Sequence, residues 1–463
     1  MFEFTMHLES RSQRPLYEQI YEYIKEEIQN GGLPCDERLP STRKLAQHLQ
    51  VSRSTVTLAY EQLLSEGYID NRPGSGFFVN HLDGLYRLAG GKEMEIPERK
   101  KPAEKFLYDF SPSGVDLESF PHNAWRKISR GLLMENNEDF YQLGAPEGEE
   151  ELRRTIAAYA HQARGVRCNW QQVIIGAGND YLLMLLNAVL GEERIYALEN
   201  PTYRKAYDIL KILGNEVRTV DMDSHGIRVE KLEESGASIA YVMPSHHYPL
   251  GTVMPAGRRL ALLKWAAEED RYIIEDDYDS EFRYKGKPIP ALQGFDGNDR
   301  VIYLGTFSKS IAPAIRISFL ILPQKLLGLY RERGRCFSST VSRMDQKILA
   351  EFIREGYYER HLNRMRSVYK SRHDTLLECL KPLAASVDIS GEYAGTHLLL
   401  TLKNGMNEEE AICFAKEAGV RIYGLSSYNI GRKKTGNTVI LGYANMDEDK
   451  IRSAAEILTR VLK

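Results

Sequence analysis

The sequence lacks the usual features of secreted, membrane-spanning and disulfide-rich proteins. Its five cysteines are far apart and odd in number, and none forms a C-x-x-C pair. This argues against a disulfide framework or a zinc cluster and favours a reducing compartment. The longest apolar run, 181–190, is too short for a membrane span, which needs about 18 residues. The N-terminus has no basic region followed by an apolar one, so we expect no signal peptide and a cytoplasmic protein without a membrane partner.

An excess of charge of either sign is also missing. The 463 residues carry 61 Lys and Arg against 64 Asp and Glu, for a net charge of −3. This excludes a histone-like polycation but allows a local nucleic-acid patch. Hydrophobic residues make up 43% and charged residues 27%, which is typical of a soluble globular protein rather than a disordered one. The length suggests roughly three domains.

A polar segment divides the chain into two blocks. Residues 80–105 lack a sustained apolar period, so we interpret them as a linker, with an ordered strap on one domain as the alternative. In the second block, 106–463, runs typical of strands alternate with amphipathic runs. These strand candidates are 171–175, 194–198, 216–220, 238–243, 272–276, 300–305 and 316–322. The alternation predicts an α/β fold with a mainly parallel sheet and helices on both faces. We expect a large part at about 151–340 and a small α+β part from about 106–150 and 341–463.

The first block, 1–79, predicts three helices and a hairpin. Pro15 starts a helix in which apolar residues recur every four positions, and Ser41 and Ser52 are N-cap candidates for two more. Residues 68–79 alternate around a Pro-Gly-Ser-Gly turn, which is a hairpin signal. This order is that of a winged helix, whose third helix enters the major groove of DNA. A small helical interaction module with a charged face is the alternative.

The candidate DNA contacts lie on the second helix, the third helix and the wing. Residues 38–79 carry five basic and three acidic side chains, so the positive charge is concentrated in this half of the block. The candidates are Arg43 and Lys44 on the second helix, Ser52, Arg53, Ser54 and Thr57 on the third, and Arg72, Gly74 and Gly76 in the wing. The run from Leu39 to Val79, LPSTRKLAQHLQVSRSTVTLAYEQLLSEGYIDNRPGSGFFV, resembles the DNA-binding domain of the GntR family of bacterial regulators. That resemblance implies operator DNA as a partner.

The second block offers the groups that pyridoxal phosphate needs from a protein. These groups are a lysine amine for the aldehyde, a carboxylate for the ring nitrogen, a donor to the phenolic oxygen, an aromatic plate and a phosphate cup at a helix start. Candidates for the cup follow a strand in IIGAGNDYLLML, at Ala177, Gly178 and Asn179. Taken singly these signals are weak: Tyr203 could be a packed surface aromatic, and the acidic run at 275–279 could bind a divalent metal.

Together and in order, these segments resemble the aspartate-aminotransferase superfamily, fold type I of the pyridoxal-phosphate enzymes. The resemblance implies that Lys309, in TFSKSIAPAIR, binds the cofactor covalently and that Asp276 and Tyr278, in EDDYDSEF, bind the ring nitrogen and the phenolic oxygen. It places Tyr203 on the ring face. It also places Gly178, Asn179, Ser308 and Arg316 at phosphate-site positions. Thr306 is a further cofactor-binding candidate, and no metal is expected.

Both blocks together resemble the MocR subfamily of GntR regulators, in which a winged helix is fused to an aminotransferase-like domain. Two departures from aminotransferases bear on activity: His246, His247 and Tyr248 precede Pro249, and Val439 and Ile440 stand where the arginine that binds the substrate carboxylate is expected, with Arg432 nearby. The resemblance implies a homodimeric regulator that senses an amino compound through an external aldimine at Lys309, with at most weak transaminase activity. An active aminotransferase with an accessory DNA-binding domain and a sensor of pyridoxal phosphate itself are the alternatives.

Overall fold

The computed structural model describes residues 6, 8–9, 14–81, 106–134, 138–191, 193–284, 286, 288–431 and 436–463. The chain divides into two compact units, Met1–Ala103 and Glu104–Lys463. All but the first two residues of the segment predicted as a linker, 80–105, lie outside the described residues, and so does Arg432.

The first unit contains the three helices and the hairpin that its sequence predicts. Its elements are α1 (Leu16–Gln29), α2 (Thr42–Leu49), α3 (Arg53–Ser65), β1 (Ile69–Arg72) and β2 (Gly76–Val79). Ile20, Ile24 and Ile28 of α1 are fully buried, because a four-residue spacing keeps side chains on one helix face. The side chains of Ser41 and Ser52 accept the capping hydrogen bonds of α2 and α3.

The second unit begins with a short strand and continues into a large α/β layer. Its first elements are β3 (Tyr108–Asp109), α4 (His122–Met134) and α5 (Glu150–Arg164). The layer contains β4 (Val173–Gly176), α6 (Asn179–Leu190), β5 (Ile195–Asn200), α7 (Arg204–Ile212), β6 (Glu216–Asp223), β7 (Gly226–Ile227), α8 (Val229–Glu234), β8 (Ile239–Val242), α9 (Ala256–Glu268), β9 (Tyr272–Asp277), β10 (Val301–Thr306) and β11 (Ser318–Ile321). Each predicted strand overlaps one of these strands.

The strands of this layer form a sheet in the order β4-β11-β10-β9-β8-β5-β6-β7. Strands β10, β9, β8, β5 and β6 run parallel, whereas β11 is antiparallel to both of its neighbours and β7 is antiparallel to β6. Every residue of β8 and β9 is buried, as expected of parallel strands with helices on both faces. The predicted mainly parallel sheet is therefore confirmed.

A smaller antiparallel sheet follows in the chain. The remaining helices and strands are α10 (Leu327–Leu329), α11 (Arg343–Arg354), α12 (Tyr357–Leu380), β12 (Val387–Ser390), β13 (His397–Leu402), α13 (Glu408–Glu417), β14 (Val420–Arg421), β15 (Tyr423–Gly424), β16 (Thr438–Gly442) and α14 (Glu448–Val461). The sheet has the order β12-β13-β16-β15, and β3 pairs with β14 beside it. Trp125 of α4 and Leu349 of α11 pack in the core under the large sheet, so these two helices belong by packing to the large layer.

Candidate functional site

The polar candidates of the second unit meet in one cavity. In a parallel sheet the strands end at a common edge, and β5, β9 and β10 end here beside the start of α6. The cavity has a volume of about 180 Å³. Nine of the ten predicted cofactor residues line it: Gly178, Asn179, Tyr203, Asp276, Tyr278, Thr306, Ser308, Lys309 and Arg316. The tenth, Ala177, lies just outside and accepts a hydrogen bond from Arg316 Nη2 at 2.9 Å through its carbonyl.

Lys309 lies in the turn after β10, and its amine points toward the cavity wall. Its Nζ donates to the carbonyl of Pro112 at 3.2 Å. Burial lowers the pKa of Lys309 to about 8, although the charge of Asp279 opposes the shift. A larger share of the amine is therefore neutral near physiological pH than in an exposed lysine, and the neutral amine is the form that attacks a carbonyl.

Asp276 and Asp277 are neighbours in β9 with opposite surroundings. Asp277 is paired, since its Oδ2 lies 2.7 Å from Arg164 Nε and accepts from the Tyr303 hydroxyl at 2.6 Å. Asp276 faces the cavity and accepts from the Tyr241 hydroxyl, and Asn179 Nδ2 lies 3.4 Å from its Oδ1. Burial raises the pKa of Asp276 to about 7, because no cation contacts it within the described part of the chain.

Tyr278 belongs to a buried hydrogen-bonded group beside the cavity. Its hydroxyl lies 3.1 Å from His246 Nδ1, and the same nitrogen lies 2.9 Å from Asp279 Oδ2. Burial raises the pKa of Tyr278 well above its usual value, and the charge of Asp279 adds to the shift. The hydroxyl therefore keeps its proton and can donate it in a hydrogen bond. His246 fits only because residue 395 is glycine, since a Cβ there would collide with the imidazole ring.

The start of α6 and two basic side chains line another part of the cavity, which we call its phosphate end. The N-terminus of α6 opens into it, and Arg316 lies beside it with its backbone in the left-handed region, at φ 52°. Gly178 has φ 91°, and a Cβ at this position would collide with the Arg316 guanidinium. Lys205, from the first turn of α7, lines the same end. Backbone N–H groups of a helix start and basic side chains are groups that can bind a phosphate.

The residues that line the cavity fit both the ring and the phosphate group of pyridoxal phosphate. The raised pKa of the buried Asp276 carboxyl indicates that its negative charge lacks a counter-charge. A protonated ring nitrogen would supply that positive charge. Asn179 Oδ1 is buried without a hydrogen-bond partner among the described residues, so it can accept from a bound group. When bound, the cofactor would withdraw electrons from an amino compound attached to it.

Carboxylates of the acidic run in β9 are bound by other groups of the protein. Glu275 accepts from the backbone N–H groups of Leu292 and Gln293, whereas Asp277 is paired with Arg164. Across the described ranges, no group of three or more His, Cys, Asp or Glu side chains is arranged to hold a metal ion. Alternation along β9 turns Asp276 to the opposite face from Glu275 and Asp277, and these two carboxylates bind different partners.

Sequence reasoning missed several residues of the site, among them Tyr241, Asp180 and Lys205. Tyr241 contacts Asp276 from β8, but a tyrosine inside the apolar run SIAYVM gives no polar signal. Asp180 and Lys205 line the cavity next to predicted residues, and their charges were visible in AGNDYLL and PTYRKAY. The sequence departs from aminotransferases at two places, before Pro249 and at Val439. Tyr248, which precedes Pro249, lines the cavity, and its hydroxyl lies 2.7 Å from that of Tyr428. Val439 lies buried in β16.

The first unit presents most of its DNA candidates at the surface around a small apolar core. Val56, Tyr60 and Leu63 of α3 are buried, whereas Arg53 and Ser54 at its start are exposed and Thr57 is half-buried. Arg43, Lys44 and Ser52 are exposed as well, and so is Gly74 in the turn of the hairpin, whereas Gly76 at the start of β2 is half-buried. Arg72 is engaged within the unit, since its guanidinium pairs with Asp36 and lies over the Phe78 ring. Arg72 therefore has to give up its ion pair with Asp36 when it binds a DNA phosphate.

The fold and the site together define a class of protein: a winged-helix DNA-binding domain joined to a domain with the architecture of a pyridoxal-phosphate aminotransferase. Comparisons with known families agree. Residues 16–79 match the family described as "Bacterial regulatory proteins, gntR family", and residues 114–458 match "Aminotransferase class I and II".

Relatives and solved structures are similar over most of the chain. The chain is 41% identical to the HTH-type transcriptional regulator YdeL of Bacillus subtilis (strain 168), covering 97% of each. It is 32% identical to the probable rhizopine catabolism regulatory protein MocR of Rhizobium meliloti, covering 96% of this chain and 93% of the relative. The structure of LysN, an α-aminoadipate aminotransferase from Thermus thermophilus complexed with N-(5'-phosphopyridoxyl)-L-leucine, matches with a TM-score of 0.67 and 27% identity, covering 76% of this chain and 91% of that one.

The chain belongs to the MocR-like family of GntR-type transcriptional regulators, with a helix-turn-helix domain and an aminotransferase class I and II domain. The fold of the second domain implies pyridoxal phosphate as its cofactor. Within the described ranges, no helix combines the length and the apolar character that crossing a membrane requires.

Proposed function

We propose that this protein is a homodimeric transcription regulator that binds pyridoxal phosphate at Lys309 and changes its binding to operator DNA when an amino compound reacts there. One observation supports this proposal above the others. Side chains from separate segments around 178, 203, 276, 309 and 316 line a single cavity, in a chain that also carries a winged helix. A cytoplasmic location follows from operator DNA as the partner.

The roles proposed for the cavity residues follow from their contacts. Lys309 supplies an amine with a lowered pKa, Asp276 faces the ring nitrogen, and the Tyr278 hydroxyl donates to the phenolic oxygen. Tyr203 covers the ring face, and burial raises its pKa to about 12, so it stays neutral. The remaining cavity residues hold the phosphate: Gly178, Asn179, Thr306, Ser308 and Arg316, with the Ala177 carbonyl fixing the guanidinium of Arg316.

The roles proposed for the winged helix follow from exposure and charge. Arg53, Ser54 and Thr57 reach base edges from the start of α3, while Ser52 caps that helix and Arg43 and Lys44 contact phosphates. Arg72 contacts the backbone from the wing, and Gly74 and Gly76 let the hairpin turn approach the duplex. The amino compound regulates this binding only if it binds two conformations of the protein with different affinity.

A gel-shift titration tests this function. Operator sequences are selected from a random duplex library with the purified protein, and binding is then measured with and without pyridoxal phosphate and a panel of amines. We expect an amine to change the affinity of the parent protein for DNA but not that of Lys309→Ala, which should retain its DNA contacts. Rapid turnover of an amino acid with a 2-oxoacid, without any effect on DNA binding, would establish the aminotransferase alternative. A response to pyridoxal phosphate with no response to any amine would establish the cofactor sensor.

A further inference from the structure

Asp180 holds both cations at the phosphate end of the cavity. Its Oδ1 lies 2.5 Å from Arg316 Nη2, and its Oδ2 lies 3.0 Å from Lys205 Nζ. The three residues come from α6, α7 and the turn before β11, and all of them line the cavity. A carboxylate therefore stands among the groups that would bind a phosphate.

The position of Asp180 stabilises its negative charge. It lies in the first turn of α6, where the helix dipole favours an anion. Partial burial raises the pKa of Asp180, but the hydrogen bonds from Lys205 and Arg316 outweigh this effect and leave the pKa below its usual value. The carboxylate is thus fully ionised near neutral pH, and it occupies the place where the helix start and the two cations would favour a phosphate.

We propose that Asp180 competes with the cofactor phosphate for Arg316 and Lys205, and that it thereby lowers the affinity of this protein for pyridoxal phosphate. The inference rests on the proposed function, because it takes pyridoxal phosphate as the ligand. It adds Lys205 as a second cationic ligand of the phosphate, beside Arg316. It also makes Asp180 the residue that keeps the cofactor exchangeable.

The size of the effect follows from charge and exposure. A phosphate dianion at this end repels Asp180 and has to take over both of its ion pairs. The side chains of Asp180, Arg316 and Lys205 are 32%, 47% and 53% exposed. Water therefore screens the repulsion between the phosphate and Asp180, and its energy lies closer to the value for charges in water than to that for buried charges. Removal of the negative charge is therefore expected to tighten pyridoxal phosphate binding roughly tenfold.

The test compares pyridoxal phosphate with pyridoxal, which has the same ring and aldehyde but no phosphate. The dissociation constants of both are measured from the absorbance band of the bound ligand, for the parent and for Asp180→Asn. We expect Asp180→Asn to bind pyridoxal phosphate about tenfold more tightly and pyridoxal with unchanged affinity. Lys205→Gln should weaken only pyridoxal phosphate. Asp208→Asn makes the same substitution on α7, where Asp208 pairs with Arg204 and does not line the cavity, and it should change neither constant.

Two results would overturn this inference while leaving the proposed function intact. If Asp180→Asn binds pyridoxal phosphate as weakly as the parent or more weakly, the carboxylate positions the two cations instead of competing for them. If it tightens both ligands alike, the effect does not pass through the phosphate. Failure of the parent itself to bind pyridoxal phosphate at Lys309 would refute the proposed function, and with it this inference.

Discussion

Replacement of Asp277 with asparagine is expected to destabilise the second unit, because it leaves a buried guanidinium without its counter-charge. The side chains of Arg164 and Asp277 are 4% and 2% exposed. Removing one partner of such a pair costs about 3–5 kcal/mol. Arg164 also donates to Ser245 Oγ at 2.8 Å and to the carbonyl of Ile289, and these bonds hold it inside, away from water.

This cost translates into a shift in melting temperature. The second unit, Glu104–Lys463, has 360 residues, and unfolding entropy is about 2.1 cal/mol/K per residue, or about 0.76 kcal/mol/K for the unit. A loss of about 3–5 kcal/mol therefore lowers the melting temperature by about 4–7 °C. Differential scanning calorimetry without added cofactor measures this shift directly.

Asp276→Asn is the matched control, one residue away in the same strand. Burial raises the pKa of Asp276 to about 7, so ionisation of this carboxyl opposes folding increasingly as the pH rises from about 4 to 7. Asp276→Asn removes that penalty and should gain stability relative to the parent over this range. If Asp277→Asn melts at the parental temperature, or if both variants lose stability equally at pH 7, the assignment of Arg164 to Asp277 alone is wrong.

The remaining predictions concern the cofactor and DNA. Purified protein with pyridoxal phosphate should be yellow, and Lys309→Ala should lose the absorbance band; a variant that keeps a borohydride-reducible link would show that another lysine is used. Asp276→Asn should weaken cofactor binding in an equilibrium titration, because the ring nitrogen loses its counter-charge; unchanged affinity would contradict this role. Arg53→Ala should weaken operator binding roughly tenfold or more. Arg43→Ala should weaken binding to all sequences and reduce its salt dependence, and neither change should alter the absorbance of bound cofactor.

Local patterns were sufficient for the winged helix. The four-residue spacing of Ile20, Ile24 and Ile28 requires no knowledge of distant residues, and neither do the caps at Ser41 and Ser52. The strand-turn-helix order of the second block likewise predicts that its polar turns meet at one sheet edge, because parallel strands end together. The particular roles of the cavity residues came from family resemblance rather than from spacing.

The sequence pattern did not predict which core the helices α4 and α11 join. The expected large part begins near residue 151 and ends near 340, yet Trp125 and Leu349 pack in its core. An amphipathic helix shows which of its faces is apolar, but not which of two cores that face will join.

The electrostatics of the site depended on tertiary structure. Family resemblance distinguished Asp276 from Asp277, but their local sequence does not. The strand's alternation and the approach of Arg164, more than 100 residues earlier, separate a paired acid from one that faces the cavity. The same holds for Asp180, which meets Arg316 across 136 positions. Charge on a side chain is written in the sequence, but its pKa and its partner are set by burial and by distances that exist only once remote segments are packed together.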